Sequence, residues 1–274
     1  MIRSLLIVIA VLLPLAAAPA RAQSVEHLTT LLRHMAGGVA DASVGDWVTY
    51  RVSGGPDGRI SFWRAAVVGH ETDRFGREAL WVEIEMGLHE KMVAPLFQTR
   101  ILVATKAEEG RPAITRMYMA WGAEKVRELD DAAVAKMTSP SQLESPDDEP
   151  KGDPSYIRVG VGGEKRLMTL AGTVTAVPTE VRYGTTVVKR IWMSREIPLM
   201  HLAKLEVPPI DYAIEIRDYG RDAKPRMILP VDGVPKLSFE GGGPFQGTTL
   251  FPAQVNEAIR KERENLQRGE ADAH

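Results

Sequence analysis

A chain of 274 residues with no cysteine, 44% hydrophobic residues and a formal net charge of −2 excludes several classes at once. The apolar content is too high for a disordered chain, and the missing cysteine removes disulfides and thiolate zinc sites. The mild, evenly spread acidity gives no basic face for nucleic acid.

Residues 1–22 read as a secretory signal: Arg3 makes a positive start, residues 5–15 form an apolar run, and Ala20-Arg21-Ala22 is an A-x-A cleavage pattern before Gln23. A membrane span needs about 20 apolar residues, and this run is shorter and carries Pro14. The expected location is therefore the periplasm. The lack of cysteine also excludes a lipid-modified cysteine at the cleavage site, and no later segment reads as transmembrane. Loss of Arg3 and Arg21 with the leader would take the formal charge to −4.

Residues 24–35 predict a short amphipathic helix, with Val25, Leu28, Leu31, Leu32 and Met35 at helical spacing, Ser24 as cap and Gly37-Gly38 as the stop. From residue 44 the period becomes two. Val48, Tyr50 and Val52 alternate with Trp47, Thr49 and Arg51, and a turn at 53–58 leads to a second strand at 60–68. Leu80, Val82, Ile84 and Met86 alternate with Trp81, Glu83 and Glu85, giving a third strand with one apolar and one acidic face. Residues 100–106 and 113–121 give two more. Successive strands without helices between them predict an antiparallel meander.

Residues 123–137 predict a mid-chain helix through Val126, Leu129, Ala133, Val134 and Met137. Residues 139–154 hold Pro140, Pro146, Pro150 and Pro154 among acidic and small residues, and read as an exposed loop insertion. Strands are expected again at 156–161, 171–177, 181–194, 202–207 and 212–219, with Gly184 marking a bulge or turn. A Gly-rich break at 241–244 precedes a charged C-terminal helix at 252–268. The organisation expected is a leader at 1–22, a β-rich domain at 23–240 carrying the 139–154 insertion, and a terminal segment at 241–274.

No catalytic signature stands out. The run Gly160-Val161-Gly162-Gly163-Glu164-Lys165 lacks the ending of a phosphate loop and reads as a hairpin turn. The histidines at 27, 34, 70, 89, 201 and 274 form no close pair, so no metal is expected. Asp147, Asp148 and Glu149 lack the alternating oxygen ligands of a calcium loop. Ser194, His201 and Asp211 could be drawn as a triad, but Ser194 lacks the Gly-x-Ser-x-Gly elbow. The expectation is a non-enzyme without cofactors.

Apolar bulk in the strands is the stronger signal. Tyr50, Trp63, Trp81, Met86, Met117, Met119, Trp121 and Trp192 are the candidates for lining an apolar cavity. Met117, Met119 and Trp121 alternate along one strand face, and methionine suits surfaces that accept varied apolar ligands. For any single residue, simple core filling is the competing account.

The segment 181–207, VRYGTTVVKRIWMSREIPLMHLAKLEV, has a strand ending Trp192-Met193-Ser194, a turn through Ile197-Pro198 and a strand carrying Lys204. It resembles the W-x-S-x-x-[IV]-P segment of periplasmic proteins with the outer-membrane lipoprotein carrier (LolA/LolB-like) fold. Val44-Gly45-Asp46-Trp47-Val48-Thr49-Tyr50 is similar to the opening strand of related envelope proteins. The resemblance implies an incomplete antiparallel barrel closed by helices over an apolar cavity that shields acyl chains. Strand 202–207 should pair antiparallel with 187–194, with Pro198 in the connection. Ala203, Leu205 and Val207 should face inward, and Lys204 should face solvent or a carboxylate. The function expected is a soluble periplasmic binding or carrier protein for an apolar ligand such as a lipid or acyl chain. The alternative is a non-enzymatic interaction module that docks on another envelope protein through the 139–154 loop and the 252–268 helix.

Overall fold

The computed structural model describes residues 39–237, apart from residues 40, 55–59, 107, 139–156 and 232. The leader, the expected helices at 24–35 and 252–268, the 139–154 loop and the 241–244 break lie outside the described residues.

Alternating apolar residues build a first run of strands: β1 (Trp47–Ser53), β2 (Ser61–Thr72), β3 (Glu78–Gly87), β4 (Phe97–Ala104), β5 (Ile114–Trp121) and β6 (Arg127–Leu129). Each pairs antiparallel with the next. A helix, α1 (Asp131–Thr138), follows. The second run is β7 (Ile157–Val161), β8 (Lys165–Thr169), β9 (Gly172–Tyr183), β10 (Thr186–Met193), β11 (Leu202–Val207) and β12 (Tyr212–Gly220). A last short strand, β13 (Lys236–Leu237), pairs parallel with β6.

The order across the sheet is β13-β6-β5-β4-β3-β2-β1-β12-β11-β10-β9-β7, with β8 beside β9. Two meanders are thus joined through the antiparallel pair β1 and β12, and strands from both sides of residues 139–156 lie in one open sheet. The fold is mainly β, and the sheet does not close on itself among the described residues.

Register defines two faces, because residues opposite one another share a side. The inner face carries Tyr50, Trp63, Met86, Phe97 and Trp121 as one row over five neighbouring strands. A parallel row runs Val48, Ala65, Ile84, Thr99 and Met119. Beyond β1 the inner face continues through Val52, Ile214, Leu205 and Ile191. All but Thr99 belong to one apolar cluster or, like Trp121 and Ile191, pack against it, and Ala133 and Val134 of α1 join it.

Two expectations are corrected, and one stated alternative is resolved. The helix expected at 123–137 is a turn, then β6, then the shorter α1. The free edge of β5 explains this: Tyr118 and Met119 pair with Glu128 and Arg127, and the Pro235 carbonyl accepts the Glu128 N–H at 2.9 Å. Tertiary partners override a helical pattern here. Asp130 Oδ1 then caps α1 by accepting the Ala133 N–H at 2.7 Å.

Of the bulge or turn expected at Gly184 within 181–194, the structure has the turn: Gly184, at φ 58°, lies between β9 and β10. The Gly-rich run at 160–165 is not a hairpin turn. β7 and β8 both run antiparallel to β9, so residues 162–164 are a break in one long edge strand. There the Gly162 N–H donates to the Pro178 carbonyl at 2.8 Å, and a Cβ on Gly162 would meet Pro178 Cγ at 2.8 Å.

Candidate functional site

The inner row is the first surface to consider. Tyr50, Trp63, Met86, Met117 and Met119 are buried, and Trp121 is half-buried with its ring centroid 5.5 Å from that of Phe97. Six of the eight sequence candidates therefore share one face of five adjacent strands. Among the described residues, Tyr50 Oη and Trp121 Nε1 are enclosed there without a hydrogen-bond partner. Burial pushes the Tyr50 phenol far above its ordinary range, because a charged phenolate would lose its hydration there.

The other two candidates lie elsewhere. Trp81 is on the outer face: it opposes Leu102, its Nε1 donates to Glu71 at 2.9 Å, and its ring lies 5.7 Å from Tyr118. Arg116 sits over both rings, 5.8 Å from the Trp81 centroid and 5.2 Å from that of Tyr118. Trp192 is half-buried in β10 opposite Lys204, whose ammonium is 5.8 Å from its ring. Lys204 meets Glu206 at 3.0 Å and Glu215 at 3.6 Å, while Ala203 and Leu205 are buried, as the alternation of that strand predicts. Burial lowers the Lys204 pKa, but hydrogen bonds and charge from the two glutamates outweigh it and hold the group above its usual value.

The outer face carries an ion network that the sequence reading missed. Glu83 and Glu85 are buried, although the strand pattern read them as an acidic face. Arg64, opposite Glu85 in β2, donates to it at 3.1 Å, and Arg100, opposite Glu83 in β4, donates to Glu83. The missed signal was this alternation of Arg64, Glu83, Glu85 and Arg100 on neighbouring strands. The segment after β12 crosses over the pair as a strap. The backbone N–H groups of Arg226 and Met227 donate to Glu83 at 2.8 and 3.1 Å, and Arg226 Nη1 reaches Glu85 at 3.2 Å.

Between strap and sheet lies a cleft of about 530 Å³, lined by Trp47, Thr49, Arg64, Glu90, Lys91, Arg217 and residues 218 and 222–226. None of the eight sequence candidates lines it.

The drawn triad does not assemble. The Ser194 N–H donates to the His201 carbonyl at 2.7 Å, but Ser194 Oγ accepts from the Glu196 N–H. The carboxylate nearest His201 is Asp41 at 3.9 Å, and no hydrogen bond joins Asp211 to either residue among those described. Among the described residues there is no cluster of three metal-ligating side chains and no helix long and apolar enough to cross a membrane.

No protein-family model matches the chain, and no curated protein matches it. Solved structures give loose likenesses. MucB in complex with MucA(peri) is 12% identical over 76% of this chain with a TM-score of 0.34. A Bacteroides fragilis protein with a YmcC-like fold is 9% identical over 65% of this chain and 97% of its own, with a TM-score of 0.30. The Pseudomonas aeruginosa MucA/MucB complex gives 14% identity over 72% of this chain and 58% of that one, with a TM-score of 0.33. The chain spans about 60% of the MucB chain it matches in the complex with MucA(peri). At these scores the likenesses assign no function.

Proposed function

We propose that the chain is an exported, non-enzymatic binding protein that takes an apolar chain bearing a carbonyl or carboxyl group against the inner face of its open sheet. The observation that carries this reading is the row from Tyr50 to Trp121, with a donor at each end that has no partner among the described residues. A buried polar group without a partner costs about 1–3 kcal/mol. Phenol and indole both donate, and an ester or carboxyl oxygen accepts from either. Each CH₂ of an acyl chain removed from water adds about 0.8 kcal/mol. The secretory pattern of residues 1–22 supports the periplasm as the place of action.

The test is a titration of the purified chain with oleate, a lysophospholipid and an acylated lipopeptide. Tryptophan emission should change saturably and the melting temperature should rise. Neither response to any of the three ligands would overturn the reading.

A second reading, an interaction module, is favoured by the interrupted edge strand β7 and β8. Val159, Val161 and Met168 are 62, 70 and 81% exposed along it. An exposed apolar edge is a template for an added strand from a partner. Lys substitutions at Val159 and Val161 that abolish capture of an envelope protein, with lipid response intact, would decide for it.

A further inference from the structure

The outer cleft is electrostatically unfinished. Its lining holds five cations, Arg64, Lys91, Arg217, Lys224 and Arg226, against three carboxylates, Glu90, Asp218 and Asp222. Arg217 lies 3.4 Å from Glu90, and Asp222 accepts the Trp47 indole N–H at 2.7 Å. Lys91 and Lys224 enter no ion pair among the described residues. Arg64 and Arg226 both aim at one oxygen, Glu85 Oε2, at 3.1 and 3.2 Å, while Glu85 Oε1 accepts from Gln98. One carboxylate oxygen thus serves two guanidiniums, one of them on a side chain only 8% exposed.

Arg64 also stacks near Trp47, with its guanidinium carbon 5.9 Å from the ring centroid. Its pKa is lowered, first by burial and then by the neighbouring Arg226, against the opposing pull of Glu85 and Glu83. The cleft volume, about 530 Å³, falls in the range of small-molecule sites, roughly 300–1,000 Å³.

We propose that this cleft binds an oxyanion, a carboxylate or a phosphate ester, on a small molecule whose body lies against Trp47. The oxyanion takes the place of the missing counter-charge beside Arg64 and Arg226, and Lys91 and Lys224 close on it from the rim. Guanidinium and ammonium donors to such groups make the stronger class of hydrogen bond. The site is on the face opposite the Tyr50 row, so it stands or falls independently of the apolar-ligand reading.

The experiment is a calorimetric titration of the purified chain with phenyl phosphate and with benzoate at low salt. Saturable binding of at least one is expected, weakening as salt rises. The double variant Lys91→Ala/Lys224→Ala should weaken it about ten-fold or more, and Lys224→Glu should abolish it, at unchanged melting temperature. Lys165→Ala, on the far edge of the sheet, should leave it unchanged. The tighter of the two probes identifies the oxyanion. No binding of either probe, or an equal loss in Lys165→Ala, would overturn the proposal.

Discussion

Glu83 accepts the backbone N–H of Met227 at 3.1 Å, across a sequence separation of 144 residues. This carboxylate, 1% exposed, ties the strap to the outer face of the sheet and neutralises Arg100 of β4. Removing it strands Arg100 and frees two backbone donors together.

Glu83→Ala should therefore destabilise the fold by about 3–5 kcal/mol, the cost of breaking a buried ion pair from one side. Glu83→Gln keeps acceptors for the strap and should cost less. Urea denaturation measures both. Amide exchange at residues 226 and 227 should accelerate in the alanine variant before global unfolding does. Unchanged exchange there would mean that the strap is held by something else.

The Tyr50 hydroxyl makes the opposite prediction. Tyr50→Phe removes a stranded donor and keeps the ring, so stability should hold or rise by about 1 kcal/mol. The alkaline limb should change as well. In the unfolded chain a tyrosine ionises near pH 10, whereas burial holds Tyr50 protonated well above that. The folded state then binds more protons than the unfolded one, so stability falls as pH rises through 10. Tyr118 is shifted up too, by burial first, and contributes with the same sign. Melting curves between pH 9 and 11 should be flatter for Tyr50→Phe than for the parent chain.

Local pattern made the middle of β11 legible: Ala203 and Leu205 are buried, and Lys204 finds the carboxylates that an outward cation needs. Its ends depart from the alternation, since Leu202, on the Lys204 side, is buried and Val207, expected inward, is only half-buried. The inner row was legible in part for the same reason: Tyr50, Trp63, Met86 and Met119 each sit at the apolar phase of a period-two strand. Trp81 misled because an indole at the polar phase looks like any other apolar residue, yet its partners are Glu71 and Arg116. The strand β6 could not be read, since residues 127–129 carry a helical pattern and become a strand only beside the free edge of β5. The cleft was out of reach altogether. Its lining joins positions 47, 49, 64, 90–91, 217–218 and 222–226, and only the pairing of β1 with β12 and the course of the strap bring them together. The burial of Glu83 and Glu85 has the same non-local cause.

Acid should loosen the turn between β2 and β3. Asp73 Oδ1 accepts the N–H groups of Phe75 and Arg77 at 2.9 and 3.0 Å, and Oδ2 takes the Arg77 guanidinium at 2.7 and 2.8 Å. Burial works against the charged form, but these bonds outweigh it and hold the pKa below the ordinary carboxylate value. The stability they contribute is present above about pH 3.9, the unfolded value, and is lost as pH falls through the lower folded value. Asp73→Asn should cost about 1.5–3 kcal/mol at pH 7, the worth of hydrogen bonds to a charged group. The difference from the parent should shrink towards zero in strong acid. A constant difference from pH 7 to pH 2 would show that the charge of Asp73 contributes nothing.

The two tryptophans of the inner row and the second meander separate packing from surface cover. Trp63 is 1% exposed, opposes Tyr50 on one side and Met86 on the other, and belongs to the main apolar cluster. Truncating such a ring removes its transfer energy and leaves a cavity, so Trp63→Ala should cost about 3–5 kcal/mol. Trp192 is half-buried, shares its face with Lys204, and sits where the register of β10 slips between Trp192 and Met193. Trp192 is already partly open to solvent. Trp192→Ala should therefore cost less than about 3 kcal/mol, below the range for a fully buried ring. Part of that loss is the contact with the Lys204 ammonium, worth about 0.5–1 kcal/mol at an exposed site. Lys204→Met removes that contact together with the pairs to Glu206 and Glu215, and because the ring contact is shared, the Trp192→Ala and Lys204→Met effects should be less than additive. A double-mutant cycle by urea denaturation measures the coupling. Equal costs for the two tryptophans would mean that Trp192 is as deeply packed as Trp63 and that the second meander carries as much of the core as the first.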